Sequence, residues 1–211
     1  AAISHAVSAR CDVISMSLGG IPGRAMHAAV RAAVESDLIV VAAAGNCVRT
    51  VVWPARYDEV IAVAGSNFND RPWKGSCRGS AVDITAPAEL VWRAERNAQN
   101  DPTSVVGGGQ GTSFAAALVA GIAALWLGRH GKPAVVAEAR RRGISVQRLF
   151  RAALRSTARQ PTEWDTNDFG AGIADAQALL DLDLSAIPDL VLESVAAPER
   201  PSVEGLVTEA F

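Results

Sequence analysis

The stretch GGGQGTSFAAALVAGIAALWL, Gly107 to Leu127, constrains the fold of this 211-residue chain more than any other. Glycines and a Gln give way at Ser113 to a helical run that is apolar around its whole circumference from Ala115 to Leu127. A surface helix carries one apolar stripe, whereas a helix apolar on every side belongs in an interior. Its Ala and Gly residues let neighbouring backbones come close, so the polar head of the helix is expected in the interior or in a cleft. Two readings of Ser113 follow. Thr112 or Ser113 caps the helix and a glycine supplies the turn, or Ser113 is a nucleophile. A membrane span is not expected, because Ala115–Leu127 is short for one and ends in GRHGK.

The layer that receives this helix is legible as four Val/Ile/Ala-rich runs: DVISMSL, LIVVAAAG, VIAVAGS and AVDITAPA. Weak alternation in each fits strands covered on both faces. Between the first two lies RAMHAAVRAAVESD, an amphipathic helix with Ala25, Ala28, Ala29, Ala32 and Ala33 on one side. Strand, helix and strand with short connections make a βαβ unit, so the sheet is expected to be parallel. The fold class is therefore α/β, a three-layer parallel β-sheet flanked by helices.

Composition narrows the function. Hydrophobic content of 49% and charged content of 20% describe a folded globular protein. A net charge of -2 gives no footprint for nucleic acid. Cys11, Cys47 and Cys77 form neither a disulfide framework nor a CxxC metal pair, which favours a reducing compartment or buried thiols. The opening AAISHAVSARCDV enters a helical pattern without a start signal, so the chain is expected to be a piece of a longer protein. The basic segment from Arg129 to Arg159 is expected to be the solvated face of one or two helices. NDFGAGIADAQALL reads as a Gly turn into a short helix. A boundary is expected after Asp181, giving a domain over 1–181 and an acidic, Pro-containing tail over 182–211.

Ligands of parallel sheets bind at the carboxyl ends of the strands. Ser17-Leu18-Gly19 and Ala44-Gly45-Asn46 stand at two such ends. The helix headed by Ser113 would bring free N–H groups and a positive dipole end to the same edge. A hydroxyl, an amide donor and helix-terminal N–H groups in one place match acyl transfer, with the Ser113 N–H and the Asn46 side chain holding the oxyanion.

On these residues the chain resembles the subtilisin-like serine proteases (subtilases). DVISMSLGG resembles the strand that lines their substrate cleft, VVAAAGN the segment with the oxyanion-hole Asn, and GTSFAAALVAG the nucleophile motif GTSMAxPHVAG. WPARYDEVIAVAGS, KGSCRGSAVDITAPA and FGAGIADAQALL follow in family order, so the resemblance runs from Ala1 to Leu180, the C-terminal two-thirds of the catalytic domain. It implies a subtilisin-like fold lacking its N-terminal portion, with Ser113 as nucleophile and Asn46 as oxyanion donor. It implies that Ser17, Leu18 and Gly19 bind peptide backbone and that Ala43, Ala44 and Gly45 wall the primary specificity pocket, narrowed by Val52 or Trp53. Gly111 and Thr112 come with the nucleophile turn as substrate-binding positions. The implied partner is a peptide or protein substrate. The family is often secreted.

The chain also departs from the family. The catalytic Asp of a D-[TS]-G turn and the His of an H-G-T-H helix start are absent. His5 and His27 lie in amphipathic helical patterns, and His130 is 17 positions past Ser113, about 25 Å along a continuous helix. A base must come within hydrogen-bonding distance, so this chain alone is expected to be inactive. A missing N-terminal part carrying the Asp and His is the expected partner. The alternative is a protease-like scaffold or binding domain without catalysis. An unrelated esterase or acyltransferase would need a G-x-S-x-G elbow, which the sequence lacks. Ala117 and Leu118 replace the family's Pro-His after the nucleophile. A family-type weak cation site would use the carbonyls of Ala55, Tyr57 and Val60 with Asp83. Ala81 stands where some members have a second acid, so no metal is expected, and no cofactor. Cys47 is expected as a packed loop thiol. Sheet edges left uncovered predict self-association of the chain on its own.

Overall fold

The computed structural model describes residues 1–47, 49–96 and 104–188. Four strands, β1 (Val13–Met16), β2 (Ile39–Ala43), β3 (Ile61–Ser66) and β4 (Ile84–Pro87), lie in sequence order and are parallel throughout. They fall inside the four apolar runs. All residues of β2 and β3 are buried, and successive side chains sort into two cores. Ile39, Val41 and Ala43 face one cluster, Val40, Ala42 and Ala44 the other, as the two-residue period of a strand requires. The sheet is thus the middle of three layers.

The first helical layer holds α1 (Ala2–Ser8), packed on α2 (Arg24–Glu35). The side of α2 that meets the sheet is Val30, Ala33 and Val34, while Ala25, Ala28 and Ala32 are exposed. Of the five alanines expected on one side of α2 only Ala33 is buried: the β2 face toward this layer is Val40, Ala42 and Ala44, and Val30 and Val34 supply bulk against its two alanines.

The second helical layer is built around α3 (Thr112–His130), which contacts all four strands, with α4 (Lys132–Arg141), α5 (Val146–Ser156) and α7 (Ala176–Asp181) beside it. At 19 residues α3 is long and apolar enough to cross a membrane by length and composition alone, longer than the sequence reading allowed. Here one side of it packs on the sheet.

The basic segment is also less solvated than expected. In α5, Gln147 and Arg151 are buried, and Phe150 and Leu154 enter the core. Arg142 reaches back to the carbonyls of Leu184 and Ile187, held by Glu138. Past Asp181, Leu182 and Leu184 pack on the core and Ile187 is 3% exposed; the remainder of the expected tail, 189–211, lies outside the described residues. Between α5 and α7, α6 (Thr166–Phe169) ends in the turn at Gly170.

A feature absent from the sequence reading is an antiparallel hairpin, β5 (Val91–Arg96) with β6 (Ser104–Gly109), just before α3. Its strands carry charges and three consecutive glycines in place of alternating apolar residues, and Trp92 on it is 75% exposed.

Candidate active site

Three sheet-edge segments and the head of α3 converge. Beyond β1 the chain runs on without pairing through Ser17, Leu18 and Gly19, all exposed. The Ser17 hydroxyl donates to the Ser113 carbonyl at 3.4 Å, which ties this segment to the helix head. Beyond β2 come Ala44, buried, then Gly45 and the exposed Asn46. Ala43 and Ala44 belong to the two cores and are buried, so of the three residues expected as a pocket wall only Gly45 is partly open.

Asn46 is fixed by Thr112. The Thr112 N–H and the Thr112 hydroxyl both donate to Asn46 Oδ1 at 2.9 Å, and the Gly45 N–H donates to the Thr112 hydroxyl at 3.2 Å. Two donors on one amide atom identify it as the oxygen, so the Nδ2 donors of Asn46 are not used in this clamp. The turn that permits this needs glycine. Gly111 has φ +145°, and a Cβ there would lie 3.4 Å from Asn46 Nδ2. Gly111 is anchored in turn by its N–H to Ala88 O at 2.7 Å. Gly111 and Thr112 are buried and act on the site through Asn46.

Ser113 is the second residue of α3 and half-buried. Its N–H, in the first turn, has no intrahelical carbonyl to meet, and the aligned peptides place positive potential there. Arg129 in the last turn complements the opposite end. The Thr112 clamp is the part of the site that sequence reasoning missed; its signal was the hydroxyl immediately before Ser113.

Val52 stands between Gly19 and Gly45. Its Cγ2 lies 2.7 Å from where a Cβ on Gly19 would be and 3.0 Å from one on Gly45, and its N–H donates to Ala44 O at 3.0 Å. Trp53, half-buried, accepts at its carbonyl from the Gly20 N–H at 2.9 Å. Cys47 is exposed at φ +64°, not packed as expected; its N–H donates to Gly75 O at 2.8 Å, and it lines a cavity of about 540 Å³ with Arg49, Trp73, Lys74 and Arg78.

No histidine meets Ser113 among the described residues. His5 is exposed on α1. His27 bonds Glu59 at 2.9 Å and stacks on Tyr57. The helix α3 is unbroken to His130, which stays about 25 Å away by helical rise. Burial first, and Arg129 second, lower the His130 pKa, against Asp183.

The geometry can be set beside known proteins. A model described as the subtilase family matches residues 1–172. The chain is 39% identical over 134 residues to subtilisin E of Bacillus subtilis (strain 168), covering 61% of this chain and 34% of that one. It is 39% identical over 125 residues to thermitase of Thermoactinomyces vulgaris, covering 58% and 43%. The chain thus spans less than half the length of these relatives. Among solved structures it is similar to the prenylagaramide maturation protease PagA, with TM-score 0.68, 26% identity and 85% and 64% of the two chains covered. It is also similar to MycP1 with its N-terminal propeptide removed, with TM-score 0.69, 26% identity and 86% and 65% covered. Together with the parallel sheet and the α3 head, the match over residues 1–172 means that the chain belongs to the subtilase family of serine proteases.

Proposed function

We propose that this chain supplies the nucleophile, the oxyanion hole and the substrate cleft of a serine endopeptidase, and that the acid and base come from polypeptide outside these 211 residues. The observation that supports this reading is the Asn46 amide oxygen, held by two donors of Thr112, the residue immediately before Ser113.

In the reaction the peptide lies along Ser17–Gly19. The Ser113 hydroxyl attacks the carbonyl carbon as the external base takes its proton, and the oxyanion is held by the Ser113 N–H and Asn46 Nδ2. Collapse expels the amine, which receives that proton, and leaves an ester on Ser113. Water then hydrolyses the ester by the same steps. Val52 between Gly19 and Gly45 favours a small side chain before the scissile bond.

A serine without a base stays protonated and weakly nucleophilic, so this chain alone is inactive. Two surfaces support an additional segment. Among the described residues β1 pairs only with β2, leaving an open edge beside the site. A turn past Ser113, Leu118 begins an exposed apolar stripe on α3.

The test is hydrolysis of fluorogenic peptides by the longest translation product that contains this chain, with Ser113→Ala as control. Activity lost in the variant is expected. Silence of the longer product favours the scaffold reading, and undiminished activity of the variant rejects Ser113.

A further inference from the structure

Several cations of this chain are answered by carboxylates. Arg151 and Arg155 lie 3.3 and 3.5 Å from Asp83, Arg141 and Arg142 hold Glu138, and Arg159 pairs with both oxygens of Asp70. At the cavity next to Asn46 the pattern breaks. Arg49, Lys74 and Arg78, all exposed, line it together with Cys47 and the buried rings of Trp73 and Phe169. Arg78 meets Asp168 at 3.5 Å. Among the described residues Arg49 and Lys74 have no acid partner, and no carboxylate lines the cavity. On a chain of net charge -2 this is a local positive field.

Backbone pairing fixes the cavity against the candidate site. The Cys47 N–H donates to Gly75 O at 2.8 Å and the Cys77 N–H to Gly45 O at 2.9 Å, so Asn46 stands opposite Ser76. Arg49 is three residues past Asn46, Lys74 and Arg78 flank Ser76 by two residues on each side, and Thr50 is bridged to Arg78. Two residues of extended peptide span about 7 Å. Side chains that close to a carbonyl held at Asn46 are therefore within reach of the cavity, whose volume of about 540 Å³ admits one. Arg49 offers a planar fork and Lys74 a mobile point charge, and both suit a carboxylate.

We infer that this cavity is a substrate subsite for an acidic side chain: Arg49 and Lys74 bind an Asp or Glu within two residues of the scissile bond, at a position other than the one Val52 restricts. The inference rests on the reading of Ser113 and Asn46 given above, and it adds a substrate class, acidic peptides.

The test uses fluorogenic peptides with Glu or Gln placed in turn at the second position before and the first two positions after the scissile bond. They are hydrolysed by the longest translation product containing this chain. At one position Glu is expected to exceed Gln by about 3–10-fold in kcat/KM at low salt, the range of two exposed ion pairs, and the preference should fade as ionic strength rises. The ratio should fall to unity when Arg49→Ala is combined with Lys74→Ala, and should persist in Arg129→Ala at the far end of α3. Fluorescence anisotropy of the same peptides on Ser113→Ala of that product reads the subsite without chemistry, with tighter binding of the Glu peptide expected. A product that hydrolyses nothing, yet binds Glu over Gln through Arg49 and Lys74, sinks the protease reading and keeps the acidic subsite. No preference for Glu in hydrolysis or in binding overturns the subsite. So does a preference that the double variant leaves intact.

Discussion

The two faces of α3 are made of the same kinds of residue and have opposite surroundings. On one, Ala115, Val119, Ala123 and Trp126 are fully buried against the sheet and α5. On the other, Ala117, Gly121, Ala124 and Gly128 are exposed, with Leu118 at 42% and Leu125 at 59%. An apolar circumference therefore tells what a helix is prepared to bury, and the packing of this chain uses half of it. Each leucine left in water forgoes up to about 1.5–3 kcal/mol of burial. Ser113 sits at the end where the two faces meet, half-covered by the strand ends and half open.

The largest expected effect lies on the packed face. Trp126→Ala should cost about 3–5 kcal/mol in denaturant unfolding of the chain, against less than about 0.5 kcal/mol for Leu125→Ala on the open face. Equal costs would erase the distinction between the faces. At the helix head, Asn46→Ala in the active protein should lower kcat by about 10²–10³-fold with little change in KM, the range set by loss of one oxyanion donor in subtilisin. Thr112→Val removes one of the two donors that orient Asn46, and should lower kcat in the same direction by less.

A smaller effect closes the far end of the packed side. Hydrogen bonds from Arg141 and then Arg142 lower the Glu138 pKa from 4.5 to about 2. The unfolded chain binds more protons between these values, so this stabilisation is present above pH 4.5 and fades as pH falls toward 2. Glu138→Gln should cost about 1 kcal/mol at neutral pH, and the gap to the unaltered chain should close under acid. His130 acts in the same direction in a higher window. Its lowered pKa adds stability above 6.5 that is lost as pH falls through the folded value. The smallest change in stability is expected for Leu118→Lys with Leu125→Lys. The pair should leave the unfolding midpoint nearly unmoved, reduce self-association of the chain in sedimentation, and abolish activity where a further segment covers that face.

The strands and the candidate site were legible in the sequence for different reasons. Strands buried on both faces announce themselves as Val/Ile/Ala runs, and Ser17, Asn46 and Ser113 stand at element ends where small and polar residues interrupt such runs. The β5–β6 hairpin was not legible, since backbone pairing stabilises it while its side chains alternate poorly. Arg151 looked like one more charge on a solvated helix; only the fold brings Asp83 within reach of it. Cys47 is exposed and left-handed at a non-glycine residue, which no local pattern announced. The side of α3 left open was invisible in a helix whose faces are alike.

Intact-mass labelling by a fluorophosphonate tests the central claim most directly, applied to this chain, to the longest translation product containing it, and to Ser113→Ala of each. The expected result is no adduct on the chain alone and one adduct per molecule on the longer product, lost with Ser113→Ala. A stoichiometric adduct on Ser113 of the chain alone would contradict the claim that its base lies elsewhere. A longer product that takes no label would contradict the assignment of Ser113 as a nucleophile in use.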